Sequence, residues 1–332
     1  MTDPTVLVEL TRGDRVESRH RGHAVIVGDT GAIVAAWGDP EAVVYPRSAA
    51  KMLQALPLIT SGAAHAHGLG PEHLALACAS HIGAAVHTTR VAAWLGDIGL
   101  TPSALMCGPQ DPLDPEALEL LRVQGRRPGQ IHNNCSGKHA GFLTLARHLG
   151  APASDYVDPG HPVQAAARAA IEDMCGETSP GWGVDGCSAP NFAVTLAGFA
   201  RALARMAAPE RLTPARRDAA QALVGAMMAH PVLVAGQGMC CTVLMQAARG
   251  RAAVKSGAEG VYAAILPEQR LGIALKIEDG ASRASEAAVA ALLARCGVLE
   301  REHPAVVAHA DAQILNRRGI ETGRLTAAEA LF

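Results

Sequence analysis

Strand-like apolar runs stand at both ends of this chain, and an alanine- and leucine-rich helical pattern fills the space between them. Val6-Leu7-Val8-Glu9-Leu10, His23-Ala24-Val25-Ile26-Val27-Gly28 and Ala32-Ile33-Val34-Ala35-Ala36-Trp37 read as strands, the last two joined by a hairpin turn at Asp29-Thr30-Gly31. Strands resume at 251–256, 259–266 and 271–277, followed by a helix near 282–296 and a tail of less clear pattern. Helical patterns cover 48–61, 87–98, 115–124, 138–149, 161–174, 191–206 and 214–229, separated by Gly, Pro and Asp breaks. Strands this far apart in sequence suggest one antiparallel sheet assembled from both ends of the chain and backed by the helices between. The expected class is therefore α+β. No repeat or low-complexity linker divides the 332 residues, so a single catalytic domain over 1–332 is expected, with a sheet part at 1–45 and 250–332 and a helical part at 46–249.

Ser48-Ala49-Ala50-Lys51 lies where the strand-like N-terminus gives way to the helical region. On a helix, positions i and i+3 share a face with Cβ atoms roughly 5–6 Å apart, which lets a lysine amine reach a serine hydroxyl. Such an amine accepts the serine proton only when neutral, so its pKa must fall from about 10.4 towards about 7–8. The apolar run Met52-Leu53-Gln54-Ala55-Leu56-Pro57-Leu58 offers a burying environment. A bare S-x-x-K also fits an ordinary surface helix pair, and Lys255-Ser256-Gly257 alone fits an exposed lysine before a turn. Together, an S-x-x-K helix and a later K-[ST]-G strand form the pattern of serine acyl-transferases of the β-lactamase and penicillin-binding type. A second cation in the same cleft would further depress the first lysine.

Composition narrows the partners. A net charge of −2 without any lysine or arginine run points away from a nucleic-acid groove or an anionic membrane, and towards a small molecule. The first residues lack a basic, apolar leader pattern, so a cytoplasmic location is expected. The eight cysteines follow no framework spacing and are expected to be reduced.

Three polar segments remain: Ser80-His81-Ile82-Gly83 with His87, His132 through Gly141, and Asp185-Gly186-Cys187-Ser188-Ala189-Pro190-Asn191. Caps and satisfied core histidines account for some of these residues, whereas two Gly-rich turns that each carry a cysteine exceed what capping needs. With Tyr45-Pro46-Arg47-Ser48-Ala49-Ala50-Lys51, Lys255-Ser256-Gly257-Ala258-Glu259-Gly260 and Gly272-Ile273-Ala274-Leu275-Lys276-Ile277, the set resembles the asparaginase II family, Rhizobium-type (class 3) L-asparaginases, over nearly the whole chain.

That resemblance implies hydrolysis of L-asparagine to L-aspartate and ammonia on a serine β-lactamase/glutaminase-like fold. It implies two Ser-Lys pairs, Ser48 with Lys51 and Ser80 with Lys255, a zinc site at Cys135, Lys138 and Cys187, and a homodimer. Thiolates suit zinc and three ligands leave a fourth position open, while a lysine ligand must first lose its proton. For an amino-acid substrate, Arg47 is the candidate for the α-carboxylate and Asp185 for the α-ammonium, with His139 and Lys138 as further contacts. His230 through Thr242 departs from the family, with apolar or thiol residues where charged ones are expected. Rival readings are a glutaminase, a penicillin-interacting serine hydrolase, and a zinc- or amino-acid-binding protein without turnover.

Overall fold

The computed structural model describes residues 2–332. The chain begins with β1 (Thr5–Arg12), β2 (Arg15–Gly28), β3 (Ile33–Trp37) and the two-residue β4 (Val43–Val44). Three short strands lie in the middle: β5 (Trp182–Val184), β6 (Pro190–Phe192) and β7 (Val194–Thr195). Five follow: β8 (Ala253–Gly257), β9 (Val261–Leu266), β10 (Leu271–Ile277), β11 (Asp311–Leu315) and β12 (Glu321–Ala327).

The principal sheet runs β11-β12-β1-β2-β10-β9-β8, with β3 also paired to β2. Every pairing in it is antiparallel. The two ends of the sequence meet at its centre, where β2 pairs with β10 in the register Ile26↔Ile273 and His23↔Lys276. One edge of β2 serves β1 as far as Gly22 and β3 from Ala24 onward, which explains its length. The fold is thus α+β, with an antiparallel sheet from N- and C-terminal strands and a helical middle, as the order of the elements led one to expect.

Every residue of β9 is buried. The helices Leu196–Ala207 and Ser282–Arg295 both pack on β9 and β10, closing the sheet on its two faces. A strand covered on both sides needs no polar alternation, so 261–266 reads as an unbroken run of apolar and aromatic residues. Gly272 permits the close contact: a Cβ there would stand 2.2 Å from the backbone nitrogen of Ala204. Among the described residues, no helix is long and apolar enough to cross a membrane.

The structure revises several element boundaries. The run 48–61 is not one helix but a 3₁₀ turn (Arg47–Ala50) and two short helices (Lys51–Gln54, Leu56–Thr60). The run 191–206 opens with β6 and β7, and its helix starts only at Leu196, where Thr195 Oγ1 accepts the Gly198 N–H as a cap. The tail forms a helix (Pro304–Ala310) and then β11 and β12, which extend the sheet beyond β1. Four short helices, Ala63–Ala66, Pro71–Ala77, Pro231–Val234 and Cys240–Ala248, fell outside the helical patterns; none spans more than nine residues, too few for a clear period.

Candidate active site

Strand β8 carries Lys255 up to the turn that bears Ser48. The contact depends on Gly257, where a Cβ would fall 2.8 Å from the Pro46 carbonyl oxygen and 3.2 Å from the Ala49 nitrogen. Both lysines are taken inside, Lys51 to 1% exposure and Lys255 to 0%. Their amines converge on one hydroxyl: Lys51 Nζ lies 2.9 Å and Lys255 Nζ 2.8 Å from Ser80 Oγ. Lys255 also donates to the Ser256 carbonyl at 2.7 Å, and Lys51 to the Ala79 carbonyl. Ser80 is anchored through its own N–H, which donates to the Val234 carbonyl at 2.9 Å.

The hydrogen bond expected between Ser48 and Lys51 is replaced by the one from Lys51 to Ser80. A buried ammonium needs acceptors, and the segment just past the helix Pro71–Ala77 supplies two, the Ala79 carbonyl and the Ser80 hydroxyl. Arg47 opens the turn in the left-handed region, at φ 51°, and Ser48, half-buried, makes no side-chain hydrogen bond among the described residues. Burial, then the nearby Lys51 charge, lowers Lys255 to about 7. Near neutral pH this amine therefore exists in both forms: as an ammonium it donates to Ser80 Oγ, and as a free amine it can accept the Ser80 proton.

A second buried cluster joins Cys135, Lys138 and Cys187. Cys135 precedes the helix Ser136–His148, which carries Lys138, and its N–H is held by Asn133 Oδ1 at 2.9 Å. Cys187 sits in the tight turn between β5 and β6, closed by Asp185 N–H to the Ala189 carbonyl at 2.9 Å. Lys138 Nζ donates to Cys187 Sγ at 2.9 Å. The Cys135 thiol hydrogen bond, aided by the Lys138 charge and against the effect of burial, lowers Cys187 to about 4. Cys135, donating that bond and buried, is pushed up to about 12. Burial would lower Lys138, but the Cys187 and Cys135 sulfurs outweigh it and raise the amine.

The cluster is thus a thiolate held by an ammonium and a thiol. Two sulfurs and one nitrogen converging from a loop and a helix start fit zinc in donor softness and leave a fourth position open. Binding would expel a proton each from Cys135 and Lys138, making affinity rise with pH.

The two charges assigned to substrate ends are paired with each other: Arg47 Nε donates to Asp185 Oδ1 at 2.8 Å. Burial raises Asp185, yet Lys138 and Arg47 overcome it and hold the carboxyl below its ordinary value. One flank of Arg47 opens on a 470 Å³ cleft whose wall includes Tyr45, Glu259 and Lys276. His139 lies wholly inside at 0% exposure. Tyr156 OH accepts the Met106 N–H at 2.8 Å, so its own proton goes to His139 Nδ1 at 2.7 Å. Burial keeps the ring neutral, leaving a buried Nε2–H without a partner.

Some residues of the site were not legible in advance. Tyr156 orients His139 from outside any motif. Cys241 Sγ contacts Tyr262 OH at 3.0 Å and accepts the Ser256 N–H at 3.3 Å, backing the strand that bears Lys255. A tyrosine inside the apolar run of β9 was the only hint. The histidines of the 80–87 segment take structural roles: His81 Nδ1 accepts the Gly83 N–H, Nε2 donates to Ser136, and the ring stacks on His87 with centroids 4.8 Å apart.

Residues 8–327 match the L-asparaginase II family, and the chain belongs to it. It is accordingly an amidohydrolase of asparagine or a related amide. A search of curated proteins finds no match. Among solved structures, the chain is similar to a β-lactamase from Mycobacterium bovis, at 14% identity and TM-score 0.44, over 83% of this chain and 94% of that one. It is also similar to Mglu in its native form, at 16% identity and TM-score 0.49, over 86% of this chain and 66% of the other. A class C β-lactamase mutant aligns at 12% identity and TM-score 0.39, over 83% and 90%.

Proposed function

We propose that the protein hydrolyses L-asparagine to L-aspartate and ammonia through a serine acyl-enzyme. The observation that carries this reading is the unbroken line Lys51 Nζ–Ser80 Oγ–Lys255 Nζ, at 2.9 and 2.8 Å. When Lys255 is neutral, Ser80 can pass its proton to it while taking one from Lys51, which leaves Lys51 a free amine on the Ser48 turn. Ser48 Oγ then attacks the side-chain amide carbon and gives its proton to Lys51. The C–N bond breaks, and ammonia leaves with a proton returned along the same line. Water cleaves the aspartyl ester, releasing aspartate and restoring Ser48.

The adjacent charges of Arg47 and Asp185 support an amino-acid substrate, whose α-carboxylate and α-ammonium form a matching pair. Cys135, Lys138 and Cys187 would hold zinc, which when bound would supply an electrophilic anchor for a polar substrate group. The protein is further proposed to act in the cytoplasm as a homodimer.

A second reading has its own observation: Ser80, not Ser48, is hydrogen-bonded to both lysines, so Ser80 itself could be the nucleophile with Lys255 as base. Quenching the enzyme during turnover of L-asparagine and mapping the aspartyl adduct by peptide mass decides between them. An adduct on Ser48, lost together with ammonia release in Ser48→Ala, supports the first reading; one on Ser80 supports the second. Absence of ammonia release from L-asparagine in folded, zinc-supplied protein would refute the asparaginase reading itself.

A further inference from the structure

A set of metal-binding side chains stands apart from the active site, where the helices Cys240–Ala248, Ser282–Arg295 and Pro304–Ala310 meet. Cys240, Glu286 and His309, one from each helix, bring a sulfur, a carboxylate oxygen and an imidazole nitrogen within 4.8 Å of one another. Among the described residues no ion pair joins Glu286 to His309, and the buried Nε2 of His309 has no hydrogen-bond partner. Cys240 packs in the core beside Tyr262, whereas the unpartnered imidazole nitrogen of His309 costs desolvation with nothing in return.

One ion would take all three as ligands and give the His309 nitrogen a partner. Zinc reaches oxygen, nitrogen and sulfur donors at roughly 2.0–2.3 Å, so a modest inward rotation of the side chains places them on a common centre. The donor chemistry selects the class of ion: a thiol and an imidazole suit zinc-like divalent transition metals and not calcium or magnesium. The charges also balance, since one thiolate and one carboxylate neutralise a dication in a largely buried setting. Cys240 is buried while Glu286 and His309 are partly open, which leaves a route for entry.

We propose that Cys240, Glu286 and His309 form a second metal site for a zinc-class divalent ion, separate from the Cys135–Lys138–Cys187 cluster, which fastens the helix Pro304–Ala310 to the body of the fold. On binding, Cys240 releases its thiol proton and Glu286 any proton it carries, and no electron is transferred.

The test is zinc stoichiometry on the metal-stripped full-length protein, titrated against a chromophoric chelator. Glu286→Gln and His309→Gln should each remove one equivalent of zinc from the wild-type count while preserving the circular dichroism spectrum. The same single loss is expected in a Cys187→Ala background, so the result does not depend on whether the other cluster binds metal. In that background cobalt(II) should show a thiolate charge-transfer band in the near ultraviolet that Cys240→Ala abolishes. Wild-type protein that binds no zinc, or a count unchanged in both Glu286→Gln and His309→Gln, overturns the proposal.

Discussion

Lys255 and Lys138 are buried to nearly the same degree, at 0% and 3% exposure, yet their amines are driven in opposite directions. Lys255 is lowered to about 7 by burial and the adjacent Lys51. Lys138 is raised, because the sulfurs of Cys187 and Cys135 outweigh the same burial. Depth alone therefore does not decide whether a buried lysine can act as a base; the sign of its nearest neighbour does. One region is built to release a proton, the other to hold one until something displaces it.

Replacing each lysine by methionine should expose that difference most strongly. For Lys255→Met we expect kcat to fall by about 10²–10⁴-fold, the range of a lost proton-transfer group, with no loss of folding stability near pH 7. Lys138→Met should instead leave a thiolate buried without its counter-charge and destabilise the fold by about 3–5 kcal/mol, as urea unfolding would measure. Equal stability of the two variants would break the comparison.

Acidity gives the next largest effect. Activity should rise with pH through an apparent pKa near 7 as Lys255 loses its proton, read from the acid limb of kcat/KM. Stability carries the same signature. Between pH about 10.4 and about 7 an unfolded chain holds a proton at residue 255 that the folded chain lacks, so folding stability declines as pH falls through that window. Lys255→Met should flatten that slope in denaturation measured from pH 7 to 10.

Cysteine chemistry sharpens the other side. In metal-free protein the Cys187 thiolate should absorb near 240 nm at pH 6, and Cys187→Ser should abolish that absorbance, since the group titrates at about 4. The smallest expected effect is selectivity between amides. Glutamine adds one methylene to asparagine, a difference of about 1–3 kcal/mol in a shaped pocket, so kcat/KM for the two should differ by roughly 10–200-fold. With Arg47 in its proposed role at the substrate α-carboxylate, Arg47→Lys should raise KM for both amides.

Much of the frame was readable from periodicity. The strands at 253–257, 261–266 and 271–277 and the helices at 115–123, 162–175 and 214–229 lie within a few residues of where apolar pattern and breakers place them. The C-terminal hairpin carries a weaker pattern: β11 has no fully buried residue and β12 buries only Gly323, Leu325 and Ala327, so few of their residues are core-facing. Of the site, the residue types around Ser48, Ser80, Cys135, Cys187 and Lys255 stood out as motifs. Lys255 bonds to Ser80 as the family resemblance implied, across 175 residues, whereas the bond from Lys51 to Ser80, 29 residues on, carries no sequence signal.

What the sequence determined by itself is an inventory with an order: strands at both ends, helices between, and chemically loaded turns at 45–51, 80–87, 132–141, 185–191 and 255–257. Local periodicity and turn chemistry are properties of neighbouring residues, so they can be read along the chain. Only the tertiary structure decided that Lys51 serves Ser80 and that Arg47 and Asp185 bond to each other, and only it made one buried lysine near-neutral and another a lasting cation. Those outcomes depend on which charges and acceptors come within a few ångströms through space. Close approaches such as Gly257 against Pro46 and Gly272 against Ala204 settle them, and no linear pattern encodes such distances.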